Sequence, residues 1–457
     1  MRIHIVGIGG AGMSAVGKLL LAGGHDVTGS DTGRWPLAEA LARQGAAVHE
    51  SFAAEHVPGT DIVLRSSAYR EDNVEVAEAL RLGIPVWKRE DAWRFLAKGK
   101  RVIAIAGTHG KSTTTALTWS ALRAGNVDAS LICGAVLRGL RSNAHAGASD
   151  VLVVEADEYD NTFHALRPLI AVVTTVDHDH VDMFPTRESY ADAFRVFVRG
   201  IQPRGTLVTC IDDDGARDLA RYTARELGRD VLTYGFGDQA NLPVSRVSDK
   251  VYSLGDTQVG LQIPGQHNAL NAAAAVLAAH TFGVTTRDAA LGVSEFPGVE
   301  RRLESLGTAA GVKVVDDYAH MPAEIGVGLD AFPNAVVVFQ PHTPSRLAKF
   351  FDEFVAVLRR ARSVVIVETF SSARERPDDD QALLRRPPSA GELFGTPVRV
   401  CRRSPGSPGP QAAHRGCFAP SPIRSTPRRV RRSAARGLRS GMEPCDAWRS
   451  PWHSGSS

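Results

Sequence analysis

The chain has 457 residues, of which 43% are hydrophobic and 23% charged, a composition that excludes an intrinsically disordered chain and a disulfide-stabilised miniprotein. The N-terminal apolar run is too short for a secretory signal, and no apolar stretch approaches the ~18 residues that cross a membrane. Five cysteines, none in a CxxC pair, indicate a reducing compartment without a zinc ribbon, so we expect a multidomain protein of the cytoplasm.

Short apolar runs alternate with amphipathic helical patterns from the N-terminus to about residue 380. The runs that we interpret as strands are Ile3–Val6, Ile62–Leu64, Val102–Ala106, Val151–Val154, Ile170–Val176, Val312–Val315, Ala335–Phe339 and Val364–Val367. Runs of this kind, rich in Val and Ile and separated by helices, are typical of buried parallel strands in α/β units. Seams near residues 98–100 and 296–298 predict three domains, at 1–98, 99–295 and 296–380.

The first of these strands runs into a glycine-rich loop. Gly7, Gly9 and Gly12 match the GxGxxG pattern between a strand and a helix. Glycines at these positions allow a tight turn and a close approach of the backbone to a diphosphate at the helix N-terminus. Asp31 follows the second strand, where an acid that binds a ribose is expected. The pattern fits a nicotinamide cofactor, another diphosphate such as a UDP-sugar, or a tight turn without a ligand.

A second glycine loop follows the strand Val102–Ala106. Its core, Gly110-Lys111-Ser112, has the features of a P-loop, in which backbone N–H groups surround the phosphates, the lysine neutralises their charge and the serine binds Mg²⁺. The full GxxxxGK[ST] pattern is not met, because Ile105 occupies the first glycine position.

Acidic and histidine side chains follow the next two strands. The strand at 151–154 ends in Glu155-Ala156-Asp157-Glu158, and the strand at 170–176 ends in Asp177-His178-Asp179-His180. The carboxyl ends of parallel strands meet at one edge of a sheet, which is where ligands bind in α/β folds. These residues therefore predict a Mg²⁺ and nucleotide site beside the second loop.

Taken together, these motifs resemble those of the Mur ligases, the three-domain, ATP-dependent acid–amino-acid ligases of peptidoglycan synthesis. The motifs that carry the resemblance are GIGGAGM (7–13), SSA (66–68), GTHGKST (107–113), EADE (155–158), DHDH (177–180), PGQHN (264–268), FPGVERRLE (296–304) and DDYAH (316–320). The resemblance implies a Rossmann-like UDP-binding domain, a P-loop ATPase-like central domain and an incomplete Rossmann-like C-terminal domain. It also favours a UDP-sugar over a nicotinamide cofactor in the first loop.

The resemblance further implies the ligand contacts. Those expected for the UDP-sugar are Gly7, Gly9, Gly10, Gly12, Met13, Asp31, Ser66 and Ser67. Those expected for ATP are Gly107, Thr108, His109, Gly110, Lys111, Ser112, Thr113, His267, Asn268, Asn271, Arg301, Arg302, Asp316 and Asp317. From residue types alone, His267, Asn268 and Asn271 fit adenine contacts, and the two asparagines fit helix caps equally well. The Mg²⁺ ligands implied are Ser112, Glu155 and His180.

One composition feature favours the alanine-adding members of the family. Several later enzymes of the series use a carbamylated lysine just after the DHDH loop, but this chain has no lysine between Lys111 and Lys250, and Phe194 lies near that place. The implied reaction joins L-alanine to the lactyl carboxylate of UDP-N-acetylmuramate, with Lys111, His320 and Arg346 as catalytic residues. Met321 and Thr343 depart from the family pattern.

The segment 381–457 has a different character from the rest of the chain. It carries 14 arginines and 11 prolines and has a net charge of +11, against −8 for residues 1–380. Such a segment has too little apolar area to offset the entropy of ordering, so we expect it to be disordered. A shifted reading frame in a GC-rich gene or a genuine disordered extension would each produce this composition.

Two other functions fit the same motifs. One is a sister ligase that joins a recycled peptide to the same sugar nucleotide. The other is a nucleotide-binding protein without turnover, whose basic tail contacts nucleic acid. The acids at the strand ends favour catalysis, so we expect ATP, Mg²⁺, the sugar nucleotide and L-alanine as ligands, with no nucleic-acid or membrane partner.

Overall fold

The computed structural model describes residues 1–180 and 183–370, and the backbone of residues 398–401. The N-terminal strands are β1 (Arg2–Val6), β2 (Asp26–Ser30), β3 (Ala47–His49), β4 (Ile62–Arg65) and β5 (Val86–Lys88). The helices between and after them are α1 (Ala11–Ala22), α2 (Pro36–Ala42), α3 (Val74–Leu82) and α4 (Arg89–Leu96), with a 3-10 turn at Ala54–His56.

These five strands form a parallel sheet in the order β3-β2-β1-β4-β5. Ile3, Ile5 and Val6 of β1 are completely buried, because helices cover both faces of the central strand. The strand order reverses between β1 and β4, so the switch point of the sheet lies where the first glycine loop leaves β1. This arrangement confirms the Rossmann-like fold predicted for the N-terminal segment.

The second sheet has ten strands. They are β6 (Arg101–Ala106), β7 (Ser130–Leu137), β8 (Ser142–His145), β9 (Val151–Glu155), β10 (Ile170–Val173), β11 (Thr206–Cys210), β12 (Asp230–Phe236), β13 (Leu242–Arg246), β14 (Val251–Leu254) and β15 (Thr257–Gly260). The helices are α5 (Lys111–Ala124), α6 (Arg187–Arg199), α7 (Asp214–Glu226), α8 (Gln266–Thr281) and α9 (Thr286–Ser294), with a 3-10 segment at Tyr159–Ala165.

The strand order in this sheet is β15-β14-β13-β12-β11-β10-β6-β9-β7-β8. The three strands whose ends carry the predicted nucleotide-site residues, β10, β6 and β9, are adjacent and parallel. Their carboxyl ends therefore meet at one edge, as predicted. β10 is shorter than predicted and ends at Val173, because Thr174 turns towards the second glycine loop and its hydroxyl donates to His109 O at 2.5 Å.

The remaining described elements follow α9. They are β16 (Glu304–Ala309), β17 (Val312–Asp316), α10 (Pro322–Ala331), β18 (Val336–Phe339), α11 (Pro344–Lys349), α12 (Phe351–Leu358), β19 (Ser363–Val367) and β20 (Val398–Cys401). β18, β19 and β20 are parallel, but β16 and β17 form an antiparallel hairpin. The prediction of a buried parallel strand at Val312–Val315 is therefore wrong, since a short apolar run does not specify the direction of its partner.

β20 lies inside the segment that its composition predicts to be disordered. Its four residues pair in parallel register with Val364–Val367 of β19. The structure thus differs from the expected domain end at residue 380, because the sheet continues at least to Cys401. A local Val-Arg-Val-Cys run favours a strand, and an average over 77 residues conceals it. The rest of the predicted tail lies outside the described residues.

Across the described residues, no helix combines the length and apolar character needed to cross a bilayer.

Candidate active site

The second glycine loop connects β6 to α5, and its lysine is held by surrounding oxygen atoms. Lys111 is the first residue of α5, and its Nζ donates to Gly107 O at 2.6 Å, to Thr108 O at 3.2 Å and to Glu158 Oε1 at 3.0 Å. Thr108 Oγ1 donates to Asp177 O at 2.7 Å, which ties the loop to the end of the neighbouring strand. The loop therefore places a cation at a helix N-terminus, as the P-loop prediction requires.

The glycine at position 110 is required by its surroundings. Gly110 caps α5 in the left-handed conformation with φ 80°, and a Cβ built on it would lie 2.5 Å from Asn271 Oδ1. That amide oxygen accepts a hydrogen bond from Thr114 Oγ1 at 3.1 Å, so it is fixed between α5 and α8. A side chain at position 110 would meet a buried group with little freedom to move.

We expect Gly110→Ala to lower the free energy of unfolding by about 2–4 kcal/mol, from backbone strain and overpacking together. The control is Gly83→Ala, because Gly83 has φ 71° but nothing within 4 Å of its Cβ position, so it reports backbone strain alone at about 1–2 kcal/mol. Urea unfolding of both variants measures the difference. Equal losses of unfolding free energy in the two variants would show that the contact with Asn271 does not add to the destabilisation of Gly110→Ala.

Acidic side chains surround Lys111 and Ser112. Ser112 Oγ donates to Glu155 Oε1 at 3.0 Å, while Glu155 Oε2 accepts the N–H of Gly134 at 2.6 Å. The completely buried Glu158 pairs with Lys111. Burial by itself lowers the pKa of Lys111, but the carboxylates of Glu158, Asp157 and Glu155 outweigh it and raise that pKa. Lys111 is therefore charged at neutral pH.

The third predicted metal ligand, His180, also lies beside Glu158. Its Nε2 is 3.6 Å from Glu158 Oε1, and ligand atoms of His180, Asp157 and Glu158 all lie within 4.8 Å of one another. Glu158 Oε2 is buried and has no hydrogen-bond partner among the described residues. A buried carboxylate oxygen without a partner is costly unless a cation binds it, so this donor set fits a divalent cation such as Mg²⁺.

The DHDH loop also contacts the C-terminal elements. His180 has a strained positive φ of 50°. Its neighbour Asp179, 5% exposed, accepts a hydrogen bond from Arg346 Nη2 at 3.2 Å. Burial raises the pKa of Asp179, but His180 and Arg346 outweigh that effect and hold it well below its usual range. The structure thus brings Arg346 of α11 to the DHDH loop after β10. The next residue of that loop, His180, lies against Asp157 and Glu158.

His320 lies close to this pair. Its Nδ1 donates to Tyr318 O at 3.0 Å, which leaves the lone pair of the neutral ring on Nε2. Burial lowers the pKa of His320 despite the opposing effect of Glu324. The ring is therefore neutral at pH 7, the state that a proton acceptor needs.

The predicted ATP contacts of the hairpin gather around Tyr318. The guanidinium groups of Arg301 and Arg302 lie 4.7 and 5.6 Å from the Tyr318 ring centroid, and Arg301 Nε is 3.6 Å from Asp316 Oδ2. Burial raises the pKa of Asp317 to about 6. These residues form one cluster of arginines and acids at the end of β17.

The asparagines at the start of α8 do not cap it. The N-cap is Gly265, while Asn268 Nδ2 donates to Pro264 O at 2.6 Å and Asn271 Nδ2 donates to Asn268 Oδ1 at 3.1 Å. Burial, with a smaller effect of Arg302, lowers the pKa of His267 to about 4. The helix-cap interpretation is therefore wrong, and adenine contact by His267, Asn268 and Asn271 stays a prediction.

The first glycine loop is held by Asp31. This side chain is 5% exposed, and it accepts the N–H of Gly9 at 2.8 Å through Oδ2 and the hydroxyl of Tyr69 at 3.2 Å through Oδ1. Its oxygens hold the loop in place, and the ribose contact that its position suggested stays a prediction. Met13, 3% exposed, packs in the hydrophobic core. Ser66 and Ser67 are half-buried after β4, and Ser66 lies beside Gly7 at the switch point.

Sequence reasoning missed two residues of this site. Arg89, at the start of α4, donates from Nη2 to Asp157 Oδ2 and to Thr162 Oγ1, both at 2.9 Å, and its Nη1 is 3.4 Å from the Cβ position of Gly12. It thus lies between the first glycine loop and the acidic segment that follows β9. Glu324, in α10, lies 3.5 Å from His109 of the P-loop. The local signal for Glu324 was its position three residues after Met321 and two after Pro322, the spacing of a capping-box acid at a helix start.

Comparison with known proteins identifies the class to which this fold and site belong. Residues 2–101 match the model of the "Mur ligase family, catalytic domain", and residues 105–279 match that of the "Mur ligase middle domain". The chain belongs to the Mur ligase family. A curated relative, the UDP-N-acetylmuramate--L-alanine ligase of an Arthrobacter species, is 40% identical over 386 residues, with 82% of each chain covered.

Solved structures agree with this assignment. The UDP-N-acetylmuramate-alanine ligase MurC from Thermotoga maritima has a TM-score of 0.73 and 26% identity, and the match covers 88% of this chain and 91% of that chain. A murein peptide ligase from Psychrobacter arcticus, with a TM-score of 0.68 and 23% identity, shares the fold. The family resemblance and the α/β fold predicted from the sequence are confirmed.

Proposed function

We propose that this protein is an ATP-dependent ligase that joins L-alanine to the lactyl carboxylate of UDP-N-acetylmuramate in peptidoglycan synthesis. The observation that carries the proposal is the convergence of three side chains on acids at the ends of adjacent strands: Lys111 pairs with Glu158, Arg346 pairs with Asp179, and His320 faces Arg346 and Asp179. The 40% identity to curated alanine ligases supports the choice of substrates. The free buried cysteines Cys133 and Cys210 favour a cytoplasmic location.

The first step in this proposal activates the carboxylate. A lactyl carboxylate oxygen attacks the γ-phosphorus of ATP in line, the bond from that phosphorus to the β–γ bridging oxygen breaks, and an acyl phosphate and ADP form. Lys111 stabilises the charge that develops on the phosphoryl oxygens, and Arg346 orients the carboxylate. Ser112, Glu155 and His180 would hold Mg²⁺, and to these predicted ligands we add Glu158 and Asp157. The bound metal would neutralise charge on the phosphates.

The second step forms the amide bond. The amine of L-alanine attacks the acyl carbon, and phosphate leaves with the electron pair of the C–O bond. His320 accepts a proton from the amine at Nε2, since its Nδ1 donates to Tyr318 O. Arg301 and Arg302 contribute positive charge around the nucleotide. We further propose domains at 1–98 and 99–295 and a third from 296, which together exclude water from the acyl phosphate.

We expect phosphate release to require ATP, UDP-N-acetylmuramate and L-alanine together, because the acyl phosphate forms only on a bound carboxylate. The measurement is phosphate release with each substrate omitted in turn. Equal release with ATP alone would contradict the ligase reaction.

The same assay separates the alternatives. Replacing L-alanine by the tripeptide L-alanyl-γ-D-glutamyl-meso-diaminopimelate tests the sister ligase. That function would be favoured if the tripeptide gave the higher kcat/KM. ATP binding without release under any combination would indicate a binding protein without turnover.

A further inference from the structure

Glu324 has one role that is purely structural. Its Oε2 accepts the backbone N–H of His320 at 2.9 Å and of Met321 at 3.2 Å, which makes it the third-residue acid of the capping box that begins α10. This role uses one carboxylate oxygen, and an amide oxygen would serve it equally well.

The other oxygen of Glu324 connects separate parts of the site. Oε1 is 3.5 Å from His109 Nδ1 in the P-loop and 3.5 Å from Arg302 Nη1 after α9. The side chain is 15% exposed, so these electrostatic contacts are only partly screened by water. Helix capping requires neither contact, and the capping box leaves Oε1 available for both.

We propose that Glu324 is a positioning residue of the ligase reaction, which holds the P-loop His109, Arg302 and His320 in one arrangement through its negative charge. The inference rests on the proposed function.

The charge of Glu324 also acts on His320. The charged groups that face this ring are Glu324 in the first turn of α10, Arg346 of α11 and Asp179 of the DHDH loop, and the ring of His342 lies 5.5 Å away. Glu324 Oε2 is 3.2 Å from His320 Nδ1, so it favours the N–H on that nitrogen and the proton acceptor on Nε2. Removal of the charge would lower the pKa of His320 further, since Glu324 opposes the effect of burial.

The test is Glu324→Gln in the full chain, because glutamine keeps the capping acceptor and removes the charge. We expect kcat to fall about tenfold or more, with the KM for UDP-N-acetylmuramate unchanged within about twofold. We expect the acid limb of the kcat profile to move to lower pH and the Tm to stay within about 3 °C of wild type. Glu324→Asp should restore the position of the acid limb.

Glu304→Gln is the matched control. Glu304 is also 15% exposed, accepts a backbone N–H from Arg301 at 2.9 Å and lies 3.6 Å from an arginine, Arg138, but it contacts neither His109 nor His320. It should leave the acid limb in place and change kcat by less than about threefold.

The outcomes are separable. A wild-type chain that makes no product refutes the proposed function. An active wild type with Glu324→Gln equal to Glu304→Gln in kcat and pH profile overturns the positioning role. So does a loss of kcat that comes with a large fall in Tm, since the effect would then be structural. In the double variant Glu324→Gln, His109→Gln, the fold-loss of kcat should be smaller than the product of the fold-losses in the two single variants. A fold-loss equal to that product would also overturn the proposal.

Discussion

Lys111→Ala should lower ATP-dependent product formation by about 1,000-fold or more, because it removes the cation that faces the developing phosphoryl charge. Binding of UDP-N-acetylmuramate should persist, since the first glycine loop follows β1, which belongs to a different sheet from β6. Single-turnover product formation and calorimetric titration with the sugar nucleotide measure the two effects. Turnover within tenfold of wild type would contradict the P-loop assignment.

The same substitution has a second consequence, which a double variant isolates. Glu158 is completely buried and pairs with Lys111 at 3.0 Å, so Lys111→Ala leaves an uncompensated buried carboxylate at a cost of about 3–5 kcal/mol in the free energy of unfolding. Adding Glu158→Gln removes that charge and should restore part of the stability but none of the turnover. Full recovery of turnover would show that Lys111 acts only by neutralising Glu158.

Glu75→Gln should destabilise the N-terminal sheet by about 3 kcal/mol at pH 7 and by almost nothing near pH 2. Glu75, in α3, is completely buried. Its carboxylate accepts hydrogen bonds from Ser30 Oγ, from Ala53 N at 3.2 Å and from His56 Nδ1 at 2.8 Å. His4 Nε2 lies 3.3 Å from the same carboxylate. Burial alone raises its pKa, but His4, Ser30 and His56 outweigh it and lower the pKa to about 2.

The pH window follows from the sign of this shift. The pKa of Glu75 is lower in the folded state than the value of 4.5 in the unfolded chain, so its contribution is fully present above about pH 5 and is lost as the pH falls towards 2. Urea unfolding at pH 7, 5 and 3 should show that the unfolding free energies of wild type and Glu75→Gln approach each other as the pH falls. Glu55→Gln, at an exposed acid beside His56, should change stability by less than about 0.5 kcal/mol throughout. A difference in unfolding free energy between wild type and Glu75→Gln that stayed constant from pH 7 to pH 3 would contradict the lowered pKa of Glu75.

Features that the sequence predicted correctly are local ones. The strand before Gly107 and the helix that begins at Lys111 are encoded by adjacent residues. The acids after β9 and β10 meet beside the glycine loop after β6, because parallel strands share one edge. An apolar run also located β17, but it did not reveal the antiparallel pairing with β16, which depends on the hairpin turn.

The missed features depend on contacts between distant parts of the chain. Arg89 and Asp157 are 68 residues apart, and Glu324 and His109 are farther apart still, so no spacing rule connects them. Asp31 is a further example. Its place after the second strand predicts a ribose contact, but that place did not reveal its hydrogen bonds with Gly9 N and Tyr69 Oη.

The pairing of β20 with β19 bears on the solubility of any shortened form of this protein. A chain that ended before Val398 would leave the backbone N–H and C=O groups of β19 unpaired along one side. An unpaired strand edge is a template for association with another chain, and Val364, Val365, Ile366 and Val367 form an apolar stretch of β-branched residues. Four residues inside an arginine-rich segment would thus protect the protein from edge-to-edge aggregation, whatever the rest of that segment does.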